Sequence, residues 1–377
     1  MTPRRGSFNP TIHGARGLFA MMVFVYHIAH SGLPTFAAVA GSGFDVYFLN
    51  SLKFGVELFF GISGYVIVGA LGRAASIRAF LWDRATRIYP LLWCTLVAIT
   101  LFALGTGGWL PPLGDWVLNF VAPPPFIALP QVNPAAWSLG YELTFYALCA
   151  GCWALRAQAG RAWIAVAIIV GAVLLAFFPR AILMPAGVLI ASGMLDGARL
   201  QRFVRFPALA LLLFLLGWRA IDLARGGDIM TLSPAAMPFG DWTAMLPLTL
   251  ATGLVGTFAL LGIASQQGPF CRLLRTEIFQ WLGTISYSFY LSHPLVMAFA
   301  KQALKASGTF AAVGDAAQLL LAVVSLPPAL ILAHYSQHWI ELRLTRFLRR
   351  LGPQGRKAEA PVTASVDAHV SLPAPLQ

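Results

Sequence analysis

Charge is scarce in this chain: only 11% of its 377 residues are Asp, Glu, Lys or Arg, and the acidic ones number just 14. A soluble domain carries about a quarter charged residues, so the polar surface that a water-soluble fold of this size needs is missing. Cysteine is rare too. Cys94, Cys149, Cys152 and Cys271 fall in or beside apolar segments. The Cys149/Cys152 pair has no second pair at zinc-binding spacing, so these cysteines read as packing residues and no metal is expected. Internal repeats are lacking, and there is no room for a second folded domain. Apolar residues make up 58% of the chain, with 27 Phe and 11 Trp and a mean hydropathy of +0.73. That is the composition of a chain solvated by lipid, with aromatic side chains at the interfaces.

The formal net charge of +12 would suit nucleic acid if the basic residues shared a soluble face. They lie between apolar runs instead, which makes the lipid bilayer the expected partner and excludes nucleic acid. A span needs about 20 mostly apolar residues, and such segments occur near 17–37, 54–72, 88–106, 137–155, 162–178, 181–197, 206–223, 243–264, 279–299 and 316–338. Pro179 and Arg180 separate the fifth from the sixth. With a cytoplasmic N-terminus, every Lys and Arg falls on the cytoplasmic side except Lys53, Arg180, Arg219, Arg225, Lys301 and Lys305, the bias that orients membrane proteins. The expected fold is therefore an all-α polytopic membrane protein with about ten transmembrane helices and both termini cytoplasmic. A signal peptide is the alternative for the N-terminal stretch. Arg16, His27 and His30 inside that stretch favour a retained first helix. Residues 107–136 carry no Lys or Arg but many Pro and Trp, and read as an ordered lid or re-entrant loop. Residues 1–350 form one transmembrane domain, and 351–377, rich in Ala, Pro, Ser and Val, read as a disordered cytoplasmic tail.

Ionisable groups within spans are costly, about 2.5 to 3.5 kcal/mol each at a helix centre on insertion scales, so each is a candidate site. They are His27, His30, Glu57, Glu142 and His293. On the topology above, His27, Glu57, Glu142 and His293 share the outer half of the membrane, where a histidine beside a carboxylate can act as a general base. His30 has no third ligand at metal spacing and reads as a hydrogen-bonded helix residue. At the other end, Arg84 and Arg87 stand three apart beside Asp83, an arrangement that suits phosphates, although positive-inside orientation alone would also place them there.

Five runs carry a resemblance: RGLFAMMVFVYH (Arg16 to His27), FGVELFFGISGY (Phe54 to Tyr65), RATRIYPLLW (Arg84 to Trp93), WSLGYELTFY (Trp137 to Tyr146) and ISYSFYLSHPL (Ile285 to Leu295). In order and content they resemble the motifs of acyltransferase family three, membrane acyltransferases that modify bacterial glycans. The resemblance implies catalysis by His27, with Glu142 or Glu57 as its partner. It implies an acyl-CoA site at Arg84 and Arg87, with Arg16, and contacts to the carbohydrate acceptor from Ser63, Trp137, Tyr146 and His293. Glu57 replaces the family's usual Asp. Gly140 and Tyr141 resemble the exopolysaccharide branch. The implied activity is transfer of an acyl group, most simply acetyl from acetyl-CoA, to a carbohydrate hydroxyl across the bacterial inner membrane. The competing expectation is a proton-coupled transporter of an acyl group or glycan, since buried histidine and glutamate also suit proton coupling.

Overall fold

A computed structural model describes residues 8–353 apart from 157, 161, 196–199 and 201–203. The expected tail lies almost wholly outside the described residues. The described residues form helices joined by turns and loops and hold no strand. The ten principal helices are α1 Pro10–Ala29, α2 Gly55–Arg73, α3 Ile77–Thr106, α4 Trp137–Leu155, α5 Ala162–Phe177, α6 Leu183–Ala191, α7 Pro207–Ala224, α8 Phe239–Ala264, α9 Glu277–Ala306 and α10 Ala317–Ser336. Six helical stretches are long and apolar enough to cross a bilayer, while Ala162–Phe177 and Pro179–Ala191 are apolar but shorter. Each expected span contains a helix, but α6 is only nine residues long.

Helix boundaries moved where capping chemistry overrides hydropathy. The α1 helix starts seven residues earlier than expected because Asn9 caps it: its Oδ1 accepts from the amides of Thr11 and Ile12 at 3.1 and 3.2 Å, and Pro10 occupies the first turn. It stops at Ala29, before Gly32 with φ of 72°. In α3 the Ser76 hydroxyl accepts from the Ala79 amide at 3.1 Å, and Gly107 in the left-handed region ends the helix. Arg84 and Arg87 therefore sit in a helix body and not in a loop. The α10 helix runs on without a break, through a π-helical stretch Gln337–Leu344 and on to Arg350. Such stretches are frequent at functional sites.

Close backbone approach holds the centre. A Cβ added to Gly64 would lie 2.0 Å from the Met184 carbonyl oxygen, and one added to Gly187 would lie 2.0 Å from that of Gly61. The glycines of the second motif thus let α2 and α6 touch, as small residues do between membrane helices. Phe19, Phe54, Phe214 and Trp218 fill a fully buried core beside this contact. Around it the connections sort by end. Those joining α1 to α2, α3 to α4, α5 to α6 and α7 to α8 converge at one end, where they line a single cavity. The starts of α1 and α3, with Arg16 and Arg87, meet toward the opposite end.

Candidate functional site

Two cavities occupy the bundle. The first, about 90 Å³, is lined by Arg16, Ser63, Arg87, Glu142 and Tyr146 among others. Glu142 is held there by two donors: its Oε1 accepts from Ser63 Oγ at 2.9 Å and from the Tyr146 hydroxyl. Among the described residues neither Arg16 nor Arg87 has a carboxylate within ion-pair distance. Two guanidinium groups thus face one cavity with donors to spare, the kind of group that grips phosphate. Glu341, from the π-helical stretch, comes to the same neighbourhood and accepts from Ser288 Oγ at 2.5 Å.

Arg84, expected to act with Arg87, is engaged elsewhere. Its Nη2 donates to Asp83 at 2.5 Å, and its guanidinium lies 5.8 Å from the ring centres of both Phe80 and Tyr146. Asp83 also pairs with Arg349 at 2.8 Å. Two residues three apart on a helix share a face only when both side chains are free to turn to it, and Asp83 holds one of them.

The second cavity, about 450 Å³, contains the acid–base candidate. Its wall includes Tyr26, His27, Lys53, Trp137, Tyr141 and Arg180, with the Pro123 to Pro125 run above them. That run belongs to the expected lid, which is ordered. Asn133 Nδ2 donates to the Leu291 carbonyl at 2.9 Å, and Asn119 bonds the Pro130 carbonyl at 3.0 Å and the Val132 amide at 3.0 Å. Gly140 lets the lid approach α4, since a Cβ there would stand 2.3 Å from the Pro123 carbonyl oxygen. Gly140→Ala should therefore displace the lid, lower detergent-phase unfolding stability by about 1 to 3 kcal/mol and raise the acceptor KM. An unchanged melting curve would show that the lid does not rest on this contact.

Among the described residues His27 pairs with no carboxylate. Its Nδ1 lies 2.7 Å from His293 Nε2, and the rings stack at 5.0 Å. The proton positions follow from the far end of the chain of bonds. His293 Nδ1 is 3.0 Å from the Phe289 carbonyl, an oxygen that can only accept, so Nδ1 carries the proton and His293 Nε2 accepts. His27 Nδ1 is then the donor, and His27 Nε2 keeps a free lone pair. His293 is fully buried and does not line the second cavity. It touches His27 and stands behind it, away from the cavity where it was expected to meet a ligand.

The shared outer-half cluster expected from the sequence is thus divided. Glu142, with Ser63 and Tyr146, lines the first cavity and not the second. Glu57 is fully buried and accepts from Arg180 Nε at 2.5 Å. Trp137 lines the second cavity, and Arg180 lies 4.2 Å from its ring centre. His30, the residue that caps the end of α1, is hydrogen-bonded to the Tyr26 carbonyl at 2.9 Å and Asn50 Oδ1 at 2.7 Å. Val56 and Tyr290 line both cavities, so two side chains form the partition between them. Sequence reading missed Lys53, Arg180 and Glu341. The first two had a signal: both break the positive-inside bias. Glu341 had none, because hydropathy ends the last span before it.

A helical membrane bundle with an unpaired arginine pair in one cavity and a polarised histidine in the next defines an enzyme-like site for group transfer. The chain belongs to acyltransferase family three: residues 9–334 match its acyltransferase domain. It is 27% identical over 317 residues to the acyltransferase MdmB of Streptomyces mycarofaciens, covering 77% of this chain and 79% of that protein. It is 26% identical over 297 residues to the exopolysaccharide production protein ExoZ of Rhizobium meliloti (strain 1021), covering 72% and 83% respectively. No solved structure matches the chain.

Proposed function

We propose that this protein is a membrane O-acyltransferase that takes an acyl group, acetyl in the simplest case, from cytoplasmic acyl-CoA and transfers it to a carbohydrate hydroxyl on the far side of the bacterial inner membrane. The observation that carries the reading is the pairing of cavities: spare guanidinium groups in the first, a histidine with a free Nε2 in the second, and a partition of Val56 and Tyr290 between. The basic bias of the connections puts the first cavity toward the cytoplasm in the ten-span reading, with both termini on that side. Similarity to a protein named for exopolysaccharide production favours a glycan acceptor.

Arg16 and Arg87 hold the phosphates of the donor, and the pantetheine arm runs past Val56 and Tyr290 to bring the thioester toward His27. Arg16 and His27 are eleven residues apart on α1, about 16 Å along the helix, a span that an extended arm covers. The acceptor hydroxyl gives its proton to His27 Nε2 as its oxygen attacks the thioester carbonyl. The tetrahedral intermediate collapses, the C–S bond breaks, and the departing thiolate recovers the proton from the imidazolium. While the imidazolium exists, His27 Nδ1–H donates to His293 Nε2, whose own N–H is anchored on the Phe289 carbonyl. This orienting role is one that a carboxylate plays in other triads. Direct transfer needs no acyl-enzyme, and Ser63 lines the first cavity and not the second, where His27 is.

Purified protein in detergent should release free CoA from acetyl-CoA when a saccharide acceptor is present. A proton-coupled transporter has no compartments to work between in detergent and would release none, an outcome that would reverse the assignment.

A further inference from the structure

The polar wall of the second cavity is one-sided in charge. His27, Lys53 and Arg180 reach it, and among the described residues no Asp or Glu lines it. Two carboxylates lie behind these cations, both fully buried. Glu57 accepts from Arg180, while Asp222 accepts from Lys53 at 2.6 Å and from Arg219 at 2.5 Å. Arg219 also donates its Nε to the Val46 carbonyl at 2.6 Å, which turns it away from the cavity. Among these groups three cations, Lys53, Arg180 and Arg219, meet two carboxylates, and Lys53 and Arg180 are the ones that reach the cavity.

The donors are not exhausted. An ammonium has three N–H bonds, and Lys53 has one hydrogen-bond partner, Asp222, while its side chain keeps 20% exposure. The tryptophan of the wall is already engaged. The Arg180 guanidinium stacks 4.2 Å from the Trp137 ring centre, and Tyr141 meets Trp137 and Phe178 edge-on. A low-dielectric cavity lined by cations attracts anions, and its volume is that of an ordinary small-ligand pocket.

Resting on the acyltransferase reading above, we propose that the acceptor is an acidic sugar. Its anionic group, a carboxylate or a phosphate, binds at Lys53 and Arg180, and its hydroxyl then faces His27. The same oxyanion could belong to a sugar acid within a glycan or to the phosphate of a sugar-phosphate precursor, and the two differ in a binding assay.

The test is direct binding to the purified protein in detergent, with no acyl donor, using three probes: a methyl hexoside, the matching methyl hexuronoside and the hexoside 6-phosphate. The expected result is at least ten-fold tighter binding of one anionic probe than of the neutral one. The carboxylate winning indicates an acidic glycan, and the phosphate winning indicates a phosphorylated precursor. Lys53→Gln should cut that preference about ten-fold, and Lys53→Arg, which keeps the charge and the hold on Asp222, should restore most of it. Equal binding of all three probes, a neutral preference, or an anionic preference untouched by Lys53→Gln with retained fold would overturn the proposal. CoA release is read separately: an anion preference without turnover would contradict the enzyme reading and leave the site, whereas turnover on neutral sugars alone would do the reverse.

Discussion

His27→Ala is expected to lower kcat by about 10²- to 10⁴-fold, the range a positioned general base contributes, with the KM for acyl-CoA little changed. Donor affinity should hold because Arg16 and Arg87, proposed above to grip its phosphates, line the other cavity. Added imidazole should recover part of the rate, since the second cavity, at about 450 Å³, can admit it. His293→Ala should be the milder change. It removes the acceptor of the His27 Nδ1–H bond and lets the ring choose either tautomer, so kcat falls while both KM values stay within a few-fold. A structural role for His293 would instead lower the amount of folded protein and leave kcat per folded molecule alone. Near-normal turnover in folded His27→Ala would exclude this residue as the base.

Arg16→Gln and Arg87→Gln should each raise the acyl-CoA KM about 10- to 100-fold, because a hydrogen bond to a charged group is worth about 1.5 to 3 kcal/mol. If both arginines bind the donor far from the reacting atoms, as proposed, ground and transition states lose alike and kcat is largely spared. Arg84→Gln gives the contrast. Arg84 is tied to Asp83, so its loss leaves a buried carboxylate with Arg349 as its remaining ion-pair partner and should cost about 1 to 3 kcal/mol of stability with little effect on donor KM. If Arg84→Gln alone raised the donor KM as much as Arg87→Gln, the division of labour between these two residues would be wrong.

Much of the bundle was legible because lipid imposes a simple rule: long apolar runs become helices, and every expected span contains one. What hydropathy could not give was where they start. Asn9 and Ser76 fix two of those starts by capping, and both shifts matter, since they carry Arg16 and Arg87 into the same cavity wall. The candidate residues were legible as costly groups in apolar segments, but their pairing was not. Depth along a helix axis places His27, Glu57, Glu142 and His293 together, whereas rotation about the axis decides which of them touch. That rotation gives His27 to His293, Glu57 to Arg180, and Glu142 to Ser63 and Tyr146. Arg180 and Lys53 looked like ordinary loop charges. Their position against the positive-inside bias was the available clue, since a cation kept on the less favoured side is there at a cost.

The central claim is that donor and acceptor meet from opposite faces of one bundle, and sided vesicles test it most directly. Protein is reconstituted into liposomes with the saccharide acceptor trapped inside, and membrane-impermeant acetyl-CoA is added outside. Molecules with their first cavity facing outward can then take the donor from one side and acylate the acceptor on the other. Acetylated saccharide should appear in the lumen and free CoA outside, both dependent on His27. Product formed only when donor and acceptor share a compartment would contradict that claim.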